Sequence, residues 1–165
     1  QKPLLDKPKL LYVGRIKVEK GIFSLLKIFD QIKIDSELSI VGRTENVNSN
    51  NKKVSFVGSV YDPATLIKIY DNHNIFILPS FTEAHPKVID ESLARIRPVI
   101  IFDEIKHIIQ NRKGIFVSKR NAKSLLETID FIMKNYQNIQ ESMLENKLPT
   151  KQEFISQMSN ILQSN

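Results

Sequence analysis

Six short apolar runs recur along the chain, each followed by a chain-breaking or polar stretch. The runs are Leu10 to Val13, Leu38 to Val41, Val54 to Val57, Ile75 to Leu78, Val99 to Phe102 and Ile115 to Val117. Gly14, Gly42 and Gly58 close the first three, and Pro79 closes the fourth. The runs are rich in Ile and Val and show no regular polar alternation. A strand with one wet face alternates, whereas a strand covered on both faces does not. The runs therefore read as the strands of a parallel sheet.

The segments between them supply the cover. Glu19 to Ile34 places Ile22, Leu25, Leu26, Phe29 and Ile32 on one helical face. Pro63 suits the first position of a helix running to about Asn72. Lys87 to Arg95 reads as a helix with Pro86 at its first turn, Ile105 to Gln110 as a short helix, and Ala122 to Asn135 as an amphipathic one. Residues 138–147 and 151–163 read as two more, with Pro149 between them. Phe23, Leu26, Phe131 and Ile132 read as core. Strand and helix alternate throughout, which predicts an α/β fold: a Rossmann-like, doubly wound, parallel six-stranded sheet with helices on both faces. At 165 residues the chain is one domain, 1–165, with 1–9 as a lead-in and the C-terminal helix within 150–165.

A chain of this size buries roughly 70% of its unfolded surface, enough for a core without staples. No cysteine is present, so there is no disulfide, no thiolate metal site and no cysteine nucleophile. No apolar stretch reaches the roughly 18 residues a membrane helix needs. The chain opens on Gln1 rather than Met, which reads as a piece of a longer protein. The net charge of +6 favours anionic partners. Lysine far outnumbers arginine and tryptophan is absent, which speaks against a specific nucleic-acid module.

In doubly wound sheets ligands bind beyond the carboxyl ends of the strands, so the residues just after each run carry the chemistry. After the first run comes Gly14-Arg15-Ile16-Lys17-Val18-Glu19-Lys20-Gly21. Gly14 permits a sharp turn, and Arg15 and Lys20 flank a short loop that opens a helix. Two cations near a helix N-terminus suit a diphosphate, although a solvated basic loop has the same residues. Neither a G-x-G-x-x-G nor a Walker loop is present. After the fourth run, Glu83 and Glu91 stand eight positions apart, with His85 between them. Carboxylates accept hydrogen bonds from the vicinal hydroxyls of sugars. If the loop folds back over the helix start, both acids face one cleft. His73 and His107 read as structural or exposed. There is no G-x-S-x-G elbow, no D-x-D triplet and no histidine pair at ligand spacing, so neither a hydrolase triad nor a metal site is expected.

Taken together, Leu11-Tyr12-Val13-Gly14-Arg15, Glu19-Lys20-Gly21, Ile40-Val41-Gly42, Phe56-Val57-Gly58 and Glu83-x7-Glu91 resemble the C-terminal, donor-binding domain of the group 1 (family 4) retaining glycosyltransferases of GT-B architecture. The likeness covers about residues 8–140. It implies that Gly14, Arg15 and Lys20 meet the donor diphosphate, with Arg15, Lys20 and Glu83 carrying catalysis. Glu91 would hold the ribose hydroxyls and Glu83 the transferred sugar. His85, Pro86, Lys87 and Val88 would present backbone to phosphate and sugar, and Gly58 and Val60 would lie against the base. The implied reaction is metal-independent transfer from a nucleoside diphosphate sugar to a hydroxyl, in polysaccharide or glycolipid synthesis, with no further cofactor. The expected partners are that donor, an absent N-terminal acceptor-binding domain and, in the whole protein, the membrane surface; the expected location is cytoplasmic, including the inner face of the membrane. Three departures stand out: Ala84 and Ile96 replace usual glycines, and Glu104-Ile105-Lys106 replaces a glycine pair. A regulatory domain that binds nucleotide or carbohydrate without transferring anything is the alternative, followed by a basic nucleic-acid or membrane-surface binder.

Overall fold

The computed structural model describes residues 6–43 and 47–148. The strands are β1 (Lys9–Val13), β2 (Glu37–Val41), β3 (Val54–Gly58), β4 (Ile75–Leu78), β5 (Val99–Phe102) and β6 (Ile115–Ser118). The α-helices are α1 (Ile22–Phe29), α2 (Pro63–Asn72), α3 (Lys87–Ala94), α4 (Ala122–Lys134) and α5 (Tyr136–Met143). All six strands are parallel, in the order β3-β2-β1-β4-β5-β6. The chain builds outward from β1 to β3, returns through α2 to lay β4 beside β1, then builds outward the other way. Right-handed crossovers in opposite directions place their helices on opposite faces of the sheet.

The strand compositions follow from position. Every residue of β4 and β5 is buried. At the edge, β3 leaves Ser55 and Val57 exposed. Helix α1 buries Ile22, Leu25, Leu26, Ile28 and Phe29, and α4 buries Leu125, Ile129 and Ile132. Asp62 and Asn121 cap α2 and α4 by accepting from the backbone amides of Thr65 and Ser124 at 2.8 and 2.9 Å.

Three sequence expectations change. The helix read over 19–34 is a 3-10 turn at Val18–Lys20, a break at Gly21 (φ 69°), and then α1, which ends at Phe29. A Cβ on Gly21 would lie 1.8 Å from the Pro79 carbonyl oxygen, so the break marks a close backbone approach. Tight turns past α1 (Ile32 amide to Phe29 carbonyl, 3.0 Å) still deliver Ile32 to the core, which is why the periodicity ran on. Second, Phe23 and Phe131 are 42% and 53% exposed, while Leu26 and Ile132 are core. Third, the short helix read at 105–110 is a 3-10 segment over Asp103–Ile108, and the helix read at 138–147 is α5. Pro149 and the helix read at 151–163 lie outside the described residues.

Ile96, at φ 57°, occupies backbone space that a β-branched residue rarely enters. Its carbonyl accepts from Gln140 Nε2 (2.9 Å) and Arg97 Nη1 (3.2 Å), two bonds that hold the unusual conformation. His73, at the end of α2, donates from Nδ1 to the Ile69 carbonyl at 2.7 Å, and burial pushes its pKa below the ordinary 6.5. The unfolded chain therefore binds the His73 proton more readily than the folded one. Stability from this group is complete above pH 6.5 and is lost as the pH falls below it. Urea midpoints at pH 7.5 and 5.5 are expected to differ less in His73→Asn than in the parent.

Candidate functional site at the carboxyl edge of the sheet

Strands β1 and β4 are neighbours in the sheet but not in sequence, so the direction of winding reverses between them. The crevice beyond their carboxyl ends is the topological switch point, where open α/β sheets hold ligands. Arg15 and Lys20 follow β1, and Glu83 follows β4; the fold brings the two loops together.

Backbone bonds seat the first loop. The Gly14 amide donates to the Val41 carbonyl (3.0 Å) and the Gly42 amide to the Gly58 carbonyl (2.9 Å). These tie the ends of β1, β2 and β3 into one rim. A Cβ on Gly42 would stand 2.0 Å from the Gly14 carbonyl oxygen. The buried Tyr12 hydroxyl donates to the Arg15 carbonyl at 2.7 Å. Burial, and secondarily the charge of Glu83, raises the Tyr12 pKa, so it stays a donor. The Arg15 side chain is exposed at the mouth of the crevice.

Lys20 and Glu83 meet across the crevice. Lys20 Nζ lies 2.6 Å from Glu83 Oε1, and Ser80 Oγ donates to the same oxygen at 2.7 Å. The Lys20 and Glu83 side chains are only 19% and 10% exposed, and Ser80 is fully buried. Among the described residues both partners use Oε1, which leaves Oε2 as a ready acceptor. The Phe81 amide donates to the Glu19 carbonyl at 2.9 Å, lacing the two loops along their backbones.

Glu91 does not share these partners. It lies exposed on α3 and accepts from the Tyr70 hydroxyl at 3.0 Å. Tyr70 is 2% exposed, and its pKa is raised by burial and then by Glu91, so it remains a donor. His85 is exposed, with Nε2 3.3 Å from Asp90 Oδ2; Arg112 Nη1 holds the other oxygen of Asp90 at 2.7 Å. Pro86 is buried at the N-cap rather than within the first turn, Lys87 is exposed, and the Val88 side chain packs on the core. The Ile89 amide donates to the Pro86 carbonyl at 3.1 Å, which leaves the amides of Lys87 and Val88 at the start of α3 without an intrahelical acceptor. Gly58 adopts φ 84° with open space around it, and Val60 packs partly on the core.

Two contributors were not picked out from the sequence. His107, read there as structural or exposed, bonds through Nε2 to the Glu83 carbonyl at 2.9 Å. Arg120, one residue before the α4 cap, donates to the carbonyls of Pro79 (2.9 Å) and Ser80 (3.3 Å). Neither has a local signature, because each acts on backbone far away in sequence. No cluster of His, Cys, Asp or Glu able to hold a metal occurs among the described residues.

Residues 7–135 match the family described as Glycosyl transferases group 1. The chain belongs to the group 1 glycosyltransferases. Among curated proteins it is 29% identical over 151 residues to the capsular polysaccharide biosynthesis glycosyltransferase CapM of Staphylococcus aureus, covering 82% of this chain and 39% of CapM. It is 27% identical over 127 residues to the putative teichuronic acid biosynthesis glycosyltransferase TuaC of Bacillus subtilis, covering 76% of this chain and 33% of TuaC. Among solved structures, sucrose-phosphate synthase of Thermosynechococcus elongatus superposes with TM-score 0.77 at 23% identity, over 96% of this chain and 45% of that one. Anabaena HepE in complex with UDP superposes with TM-score 0.78 at 15% identity, over 97% and 50%. This group 1 chain thus spans half or less of these relatives, and it has the six-stranded parallel fold of one GT-B half.

Proposed function

We propose that this group 1 domain binds a nucleoside diphosphate sugar and presents it for retaining transfer to an acceptor hydroxyl. The observation that carries the reading is the Lys20–Glu83 contact at the switch point, with exposed Arg15 on the same rim. A diphosphate needs cations, a sugar needs carboxylate acceptors, and the crevice supplies both side by side. Arg15 and Lys20 take the diphosphate. Glu83, through its open Oε2, takes a sugar hydroxyl, and Glu91 takes the ribose. The start of α3 offers its free amides, with His85 and Lys87 beside them and Val88 holding its first turn on the core. Gly14 lets the diphosphate approach the backbone, and the open ground at Gly58 and Val60 receives the base.

When the bond between anomeric carbon and diphosphate breaks, the electron pair leaves with the diphosphate. Charge then builds where Arg15, Lys20 and the helix amides already point, so the transition state is stabilised more than the ground state. The acceptor hydroxyl bonds to the anomeric carbon on the face the diphosphate leaves, and its proton passes to the departing diphosphate oxygen. The acceptor site belongs to a second domain outside this chain, which by itself binds donor but transfers little. CapM and TuaC are named for surface polysaccharides, and we place this enzyme in that chemistry, working in the cytoplasm at the inner membrane face.

Calorimetric titration of UDP, GDP and ADP and their sugar conjugates tests the reading. One nucleoside diphosphate is expected to bind, and Arg15→Ala and Glu91→Ala are each expected to weaken it by about tenfold or more. Equal binding of all three bases with a steep salt dependence would replace the donor site with simple polyanion attraction.

A further inference from the structure

We infer that Arg120, locked by Glu104, is the positioning residue that sets the Glu83 loop against Lys20. The inference rests on the proposed role of Glu83 at the donor sugar. Beyond Leu78, β4 leaves the ladder, and the carbonyls of Pro79 and Ser80 need donors from elsewhere. Arg120 provides them: Nη1 reaches Pro79 O at 2.9 Å and Nη2 reaches Ser80 O at 3.3 Å. The same guanidinium holds Glu104 through Nε to Oε1 at 2.7 Å and Nη2 to Oε2 at 3.1 Å. The ring of Phe81 lies 4.0 Å from the guanidinium carbon and that of Phe102 4.4 Å. With its side chain 15% exposed, the group is fixed by two carbonyls, one carboxylate and two aromatic rings.

The mechanical path to the site is short. Arg120 grips the Ser80 carbonyl, the Ser80 hydroxyl grips Glu83 Oε1, and Glu83 meets Lys20. Planar fork geometry is needed for such a set of partners, and lysine does not have it. Hydrogen bonding from Arg120 also holds the Glu104 carboxyl below the usual carboxylate range, consistent with a fixed pair.

The test uses Arg120→Met, which keeps the stem and removes every donor, and Glu104→Gln, which leaves Arg120 its carbonyl bonds. Amide hydrogen exchange reads the loop at Phe81, whose amide bonds to Glu19. Titration with the preferred nucleoside diphosphate, with and without its sugar, reads the site. In Arg120→Met, Phe81 exchange is expected to accelerate about tenfold or more, with Ile100 in β5 unchanged. The affinity advantage conferred by the sugar is expected to fall about tenfold, while the bare diphosphate changes less than about threefold. Glu104→Gln is expected to move both readouts the same way by about threefold. Unchanged Phe81 exchange, or equal loss for both ligands, overturns the inference. A parent chain that binds no nucleoside diphosphate defeats the donor reading instead, and the exchange arm still decides whether Arg120 sets the loop.

Discussion

Lys20→Met is expected to abolish nucleoside diphosphate binding and to destabilise the domain in the same stroke. The substitution keeps the aliphatic stem and removes the charge. At the site it removes one of two cations that meet the diphosphate, which should weaken binding about 100-fold or more. In the fold it strands a carboxylate: Glu83, 10% exposed, loses its ion-pair partner and keeps only Ser80 on that oxygen. Breaking one side of a largely buried pair is costly, here about 2 kcal/mol given the residual access of water at Lys20. Urea unfolding reads the second effect as a lower midpoint at constant slope. Glu83→Gln separates the two. Its amide oxygen still accepts from Lys20 and Ser80, so stability should hold to within about 1 kcal/mol. The bare diphosphate should bind as well or better, because it no longer competes with a carboxylate for Lys20. Only the gain from the sugar should vanish. Parent-like diphosphate binding by Lys20→Met would remove Lys20 from the site.

Central strands were legible because burial on both faces leaves them no polar positions, as β4 and β5 show. The doubly wound parallel class followed from the alternation of elements, but the strand order β3-β2-β1-β4-β5-β6 did not, because alternation does not say where the winding reverses. Helix limits were less legible where tertiary contact overrides periodicity. Apolar spacing carries straight through Gly21, yet the close approach of Pro79 splits that segment. Phe23 and Phe131 sit near the apolar stripes without entering the core, because a helical position one residue off the stripe turns away by about 100°. The positions of Arg15 and Lys20 after β1 and of Glu83 after β4 were legible, because in this architecture the loops that follow the strands gather at one edge. The separation of Glu91, on Tyr70, from Glu83, on Lys20, was not, because it depends on which way the loop folds. Arg120 and His107 were invisible for a different reason. Their partners in the Glu83 loop are backbone carbonyls of Pro79, Ser80 and Glu83, and a carbonyl has no residue type.

Gly21 joins fold and site most directly, and Gly21→Ala is expected to be among the most damaging single-methyl changes in the chain. Two costs combine. The φ of 69° is left-handed, which an alanine resists by about 1–2 kcal/mol. The added carbon would also lie 1.8 Å from the Pro79 carbonyl oxygen and 3.2 Å from Arg120 Nη1. A backbone oxygen at that distance must move, and it is the oxygen through which Arg120 anchors the Glu83 loop. The total is expected to reach about 4 kcal/mol, a fall of roughly 10 °C in Tm for a domain of this size. Gly58→Ala is the internal control. Gly58 has φ 84°, also left-handed, but nothing lies within 4 Å of a Cβ placed there. It should lose only the conformational part, about 1 kcal/mol. Thermal unfolding of both variants followed by circular dichroism isolates the steric part by difference. Equal midpoints would mean that β4 yields freely at Pro79, and the seating of Lys20 against Glu83 would then owe nothing to the absence of a side chain at position 21.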